Sequence, residues 1–196
     1  FTLALHLINY ILSSDEDFKY DVKNLKINKE NRTFKLIKNN SSPNLYLIDA
    51  LADKKSIEIG QIRDLINFCN KSSLNNKPRF ILIDNLEFLN LNSVNALLKI
   101  IEEPTDNTYF ILINNNKKII ATLLSRCINF KISLTNKESV EISNKLLDQD
   151  FNELINEDLI NYYSTPGNIY NLIKFGVENE YDLKNLELNE FLKMII

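Results

Sequence analysis

Glycine is nearly missing from this chain: Gly60, Gly167 and Gly176 are the only three in 196 residues. A loop that wraps phosphate with closely approaching backbone amides needs several glycines in a short span, so no such loop lies within these residues. Cysteine is almost as scarce. Cys69 and Cys127 are far apart and form neither a disulfide framework nor a zinc quartet, so a reducing, cytoplasmic setting is expected. The single histidine, His6, sits in an apolar stretch without metal-ligating neighbours and reads as a core or boundary residue, and no nucleophile elbow occurs to support a Ser-His-Asp triad. No apolar run reaches the roughly 18 residues that a membrane helix needs. Phe1 to Leu12 is apolar but lacks the basic flank and small-residue cleavage site of a signal peptide. The start at Phe1 and the apolar finish at Ile196 lead us to expect a fragment of a longer chain.

What is present is ordinary for a globular protein, with 44% hydrophobic and 25% charged residues and a net charge of −3. That charge is unevenly placed. Residues 1–133 hold 18 Lys/Arg against 14 Asp/Glu, whereas residues 134–196 hold 5 against 12. The change falls at a polar stretch near 133–137 and predicts two domains, 1–134 and 135–196. The basic excess is too mild for tight autonomous binding to nucleic acid.

Periodicity gives the elements. A mostly buried helix is expected over 2–12, short strands over Phe34–Ile37 and Leu45–Ile48, and an amphipathic helix over 58–70. Phe80–Ile83 and Tyr109–Ile113 are uninterrupted apolar runs, as in strands buried on both faces of a parallel sheet. Between them a helix is predicted over 92–102, capped by Asn92 or Ser93 and stopped by Pro104. A short helix over 119–124 and an edge-like strand over Cys127–Ile132 follow. The alternation predicts an α/β fold, a mostly parallel sheet flanked by helices on both faces. From 136 onward only helical patterns appear, over about 136–147, 150–162, 166–175 and 186–195, with breaks at Asp148-Gln149, Ser164-Thr165 and Gly176.

Asp84 stands at the carboxyl end of a buried strand, where open α/β sheets place their ligands. An acid there either helps hold Mg²⁺ on a nucleotide or simply turns the chain. Its neighbour is Asn85, and an amide cannot act as a base, so hydrolysis at this site should be poor or absent. Arg126 precedes the last predicted strand. A lone arginine most often satisfies a surface carboxylate. The sharper alternative is a guanidinium offered to a phosphoryl group on a neighbouring molecule. Cys127 reads as a small core residue, and Glu102-Glu103-Pro104 as a solvated helix end.

Taken together, Asp84, Asn95-Ala96-Leu97-Leu98-Lys99, Glu102-Glu103-Pro104 and Thr122-Leu123-Leu124-Ser125-Arg126-Cys127 resemble the clamp-loader subunits of bacterial DNA polymerase III. Ser42-Pro43-Asn44 and Ile57 to Leu65 extend the resemblance over most of residues 1–133. The resemblance implies an AAA+ P-loop-type α/β domain, with residues 135–196 as its helical lid. Within the lid, Pro166-Gly167-Asn168 stands where relatives place a second sensor residue, and no arginine is found there. Phe1-Thr2-Leu3 is similar to the start of the helix after the phosphate loop. By position, Ser125-Arg126-Cys127 would offer Arg126 as an arginine finger, Asp84 with Asn85 would be a degenerate Mg²⁺-ligand motif, and Asn114 would fall near the first sensor. Of the family's members, the non-catalytic δ′ type is the closer match, in a branch without the zinc module. An ATPase of the γ/τ type, or a related AAA+ motor diverged at Asn85, is the alternative. The δ′ resemblance implies no productively bound cofactor of its own, with ATP and Mg²⁺ held by a neighbouring subunit. The partners implied are the γ/τ and δ subunits, the sliding clamp and primed DNA, in the cytoplasm.

Overall fold

The structure, a computed structural model, describes residues 1–50, 56–71, 75–115, 119–160 and 165–195. It divides into two compact units, residues 1–129 and 130–196.

In the first unit three parallel strands, β1 (Leu45–Ile48), β2 (Arg79–Ile83) and β3 (Thr108–Leu112), lie in the order β1-β2-β3. Register places Leu47 beside Leu82, and Leu82 beside Ile111. Being central, β2 is buried along its whole length. Because side chains alternate, it feeds two cores. Phe80 and Leu82 meet Ala4, Ile8 and Leu12 of α1 (Thr2–Leu12). Ile81 and Ile83 meet Ile62, Leu65 and Cys69 of α3 (Ile59–Asn70) and Leu97 of α4 (Leu91–Glu102). Each such aliphatic side chain contributes about 1.5–3 kcal/mol on burial. The expected α/β fold, a parallel sheet with helices on both faces, is what the structure shows.

Several local expectations fail for identifiable reasons. Phe34–Ile37 is not a strand but part of α2 (Arg32–Lys38). Its first amides are satisfied from elsewhere: Glu16 accepts from Arg32 and Thr33, and Asn31 caps Phe34. Tertiary capping overrides the strand-like composition. Helix α1 is amphipathic rather than mostly buried, leaving Leu3 and Leu7 exposed. Helix α4 starts one residue earlier than expected and is capped by the Asn90 side chain, not by Asn92 or Ser93. β3 is only partly buried, with Tyr109 54% exposed, because it lies at the end of the strand order. Cys127–Ile132 forms no strand: Ile128, Phe130 and Ile132 are 85%, 81% and 71% exposed. Alternation alone makes no strand without an edge to pair with.

The second unit is helical. α6 (Asn136–Leu147) opens on a reciprocal capping box between Thr135 and Glu138. It is followed by two 3-10 turns, Phe151–Glu153 and Glu157–Leu159, in place of the single helix expected over 150–162. Asp150 and Asn156 cap these turns, drawing the backbone out of a continuous helix. The predicted break at Ser164 and the end of that helix, residues 161–162, lie outside the described residues. α7 (Pro166–Glu178) runs straight through Gly176 instead of breaking there, and α8 (Leu188–Ile195) follows. Phe151, Ile155, Leu159, Ile169, Ile173, Leu183 and Phe191 form this unit's core.

Candidate functional site

The carboxyl ends of β1, β2 and β3 gather a polar cluster. Ladder bonds continue just past the strands, from the Asp84 amide to the Ile48 carbonyl and from the Leu86 amide to the Ile113 carbonyl, at 2.9 Å each. They fix Asp84 and Asn85 between the flanking strand ends. Asn85 adopts a left-handed conformation, φ 53° and ψ 46°, which asparagine tolerates better than most residues. Its side-chain amide donates to Asp49 Oδ1 at 2.7 Å, and its oxygen accepts from Asn115 Nδ2 at 2.7 Å. Asn115's backbone amide donates to Glu87 Oε2 at 3.3 Å.

Asp84 is half-buried and accepts a hydrogen bond from the Asn85 amide at 2.9 Å. Burial raises its carboxyl above the ordinary 3.8, and the nearby Asp49 and Glu87 charges act the same way. The hydrogen bond from the Asn85 amide opposes the rise. Asn114 is half-buried just beyond β3, at the same end. The sequence singled out Asp84, Asn85 and Asn114 but missed Asp49, Glu87 and Asn115. Asp49 was accessible: it follows Ile48 as Asp84 follows Ile83, so the strand-end argument applied equally to β1.

Arg126 belongs to a second cluster. α5 (Ala121–Leu124) is capped by Ser125, and Arg126 continues the turn, its backbone N–H donating a hydrogen bond to the Leu123 carbonyl. One edge of the guanidinium faces Glu102 at the end of α4: Nε donates to Oε1 at 2.8 Å and Nη2 pairs with the same oxygen. Nη1 donates to the Thr122 carbonyl at 2.7 Å and to Ser125 Oγ at 3.3 Å. Both members of the Arg126–Glu102 pair are partly exposed, so the pair contributes only about 0–1 kcal/mol. Glu102, expected to be merely solvated, is what holds Arg126. Cys127 is half-buried, and burial pushes its thiol above the ordinary 9.0, leaving it protonated and unreactive near neutrality.

Residues 3–136 match the model of the family described as DNA polymerase III, delta subunit, and the chain belongs to that family. The δ′ subunit of DNA polymerase III from Buchnera aphidicola subsp. Baizongia pistaciae is 41% identical over 86 residues, covering 43% of this chain and 26% of the relative. The tau subunit of Bacillus subtilis is 35% identical over 116 residues, covering 58% of this chain and 20% of the relative. Among solved structures, a DNA polymerase III gamma subunit-related protein from Thermotoga maritima aligns with a TM-score of 0.45 and 19% identity, over 76% of this chain and 50% of that one. The matched stretch thus spans only 20–26% of these curated relatives. Among the described residues, no helix is long and apolar enough to cross a membrane.

Proposed function

We propose that this chain is part of a δ′-type, non-hydrolysing subunit of the bacterial clamp loader, which completes the ATP site of a neighbouring γ/τ subunit through Arg126. The loader opens the ring-shaped sliding clamp and places it on primed DNA in the cytoplasm. Family membership supports the complex. The observation that carries the finer assignment is the contrast between the two clusters. Position 85 holds an amide committed to Asp49 and Asn115, where a hydrolysing site of this architecture needs a base. Arg126, by contrast, is a partly exposed guanidinium held by a weak pair with Glu102 and by Nη1 bonds to Thr122 and Ser125 of its own turn.

The donor set agrees with this division of labour. Asp84 and Asp49 offer carboxylates for a hydrated Mg²⁺, but Asn85 beside them supplies no base to activate water. We therefore derive no hydrolytic step for this chain. A guanidinium presented in trans stabilises charge on a transferring phosphoryl group, worth roughly 10³–10⁵ in rate at the site it serves.

The test is Arg126→Ala in the complete gene product, reconstituted with its loader partners. Subunit assembly should persist while clamp-stimulated ATP turnover falls several-fold or more; unchanged turnover and loading would remove the arginine-finger assignment. The second reading is a γ/τ-type ATPase, or a related AAA+ motor, diverged at Asn85; the tau subunit match favours it. DNA-stimulated turnover by the isolated full-length subunit would select that reading.

A further inference from the structure

We propose that the surface formed by residues 18–38 binds single-stranded nucleic acid, with its lysines on the phosphates and Phe18 as a stacking face for a base. Of the 23 Lys and Arg residues, seven fall between 19 and 38, in a chain whose net charge is −3. All seven, Lys19, Lys23, Lys26, Lys29, Arg32, Lys35 and Lys38, are exposed. Four of the nearby acids are turned to other work, while Asp17 is exposed beside Phe18. Asp21 accepts from the backbone amides of Lys23 and Asn24 and from the Asn24 side chain. Glu16 accepts from the start of α2. Glu30 pairs with Lys35, and Asp15 with Lys77. Among the described residues the other six cations have no carboxylate within ion-pair distance.

The mounting is stiff. The Asp21–Lys26 bridge closes a tight hairpin. The Glu16 cap ties its entry to α2, and a reciprocal amide pair between the buried Asn9 and Asn31 fastens α2 to α1. Tyr20 is held by His6 Nδ1 at 2.9 Å and packs edge-on against His6 and Tyr10. Two residues before it, Phe18 is 55% exposed. An exposed ring in the same segment as six unpaired cations fits a strand whose bases are unstacked better than a duplex or an acidic protein surface, because stacking needs a free π-face and phosphates need point charges. This surface shares no residue with either cluster above, so it stands or falls independently of the Arg126 assignment.

The experiment titrates the complete chain against a fluorescent oligo-dT and against a duplex of equal length, over a range of salt. Exchanging Lys23, Lys26, Lys29 and Lys38 together for Gln should weaken oligo-dT binding at least about tenfold and reduce the salt slope by about 0.7 for each phosphate no longer neutralised. Phe18→Ala should cost roughly tenfold more on the single strand than on the duplex. Gln at Lys137, Lys145, Lys184 and Lys193, all exposed in the helical unit, should change binding little. Equal losses from the two quartets, an unchanged slope, or equal effects of Phe18→Ala on both nucleic acids would overturn the proposal.

Discussion

Gly176→Ala puts two opposing effects in one methyl group. In a helix interior alanine is better than glycine by about 1 kcal/mol, so propensity alone predicts stabilisation. The neighbouring chain predicts the reverse. A Cβ at 176 would lie 2.5 Å from Leu183 Cδ1 and 2.6 Å from Leu183 Cγ, well inside ordinary van der Waals separation. Leu183 is buried in the second unit's core. Its backbone is held on both sides, accepting from the Asn156 amide at 2.8 Å and donating to the Tyr181 carbonyl at 3.1 Å, while Tyr181 itself is tied to the Gly176 carbonyl. Overpacking of this kind costs about 1–3 kcal/mol. With the neighbour pinned, the upper half of that range applies, and the net is a destabilisation of about 1–2 kcal/mol. Urea denaturation of the complete chain followed by circular dichroism, with the helical unit's transition analysed separately, should show it. A double-mutant cycle identifies the cause. Leu183→Ala costs about 2–5 kcal/mol when Gly176 is kept. Combined with Gly176→Ala it should cost at least about 1 kcal/mol less, because the truncation relieves the clash. A stabilising Gly176→Ala with additive effects would refute the reasoning and show that Leu183 yields freely.

Three further outcomes follow from the first unit. Arg79 is buried at the start of β2; its guanidinium donates to the Phe68, Cys69 and Lys71 carbonyls and to Thr105 Oγ1, so it caps the end of α3. Arg79→Met should cost about 2–4 kcal/mol in chemical denaturation, and a loss below about 0.5 kcal/mol would show that water replaces those bonds. Asp84 has a raised folded-state pKa, so its stabilising contribution is complete below the ordinary 3.8 and is lost as pH rises through the folded value. Asp84→Asn should therefore raise the melting temperature at about pH 7 more than at about pH 3.5; a pH-independent change would exclude desolvation as the cause. Asn9→Leu strands the buried Asn31 amide and should cost about 1–3 kcal/mol, with amide exchange of α2 accelerated; unaltered exchange would mean that α2 is not fastened through that pair.

Some of this was legible in the chain itself. β2 declared its burial because four consecutive apolar residues have few other uses. The start of α6 was readable because its capping box joins residues three apart. Failures arose where the deciding partner is distant in sequence. Helix α2 depends on Glu16, and Gly176 depends on Leu183. Arg126 depends on Glu102, whose charge looked like ordinary helix-end solvation. At the strand ends Asp84 was found because its strand is fully buried, while Asp49 was missed because β1 is more exposed and gave a weaker pattern.

The left-handed backbone at Asn85 bears on how readily the position accepts another residue. A glutamate placed there would enter a conformation costing a non-glycine residue roughly 1 kcal/mol or more. It would also forfeit the bond donated to Asp49 and bring another carboxylate toward Asp49, Asp84 and Glu87. Placing a base there by one substitution would thus be opposed by the local scaffold. Such a position resists single exchange: with the amide settled among its neighbours, fitting a carboxylate requires several coordinated substitutions rather than one.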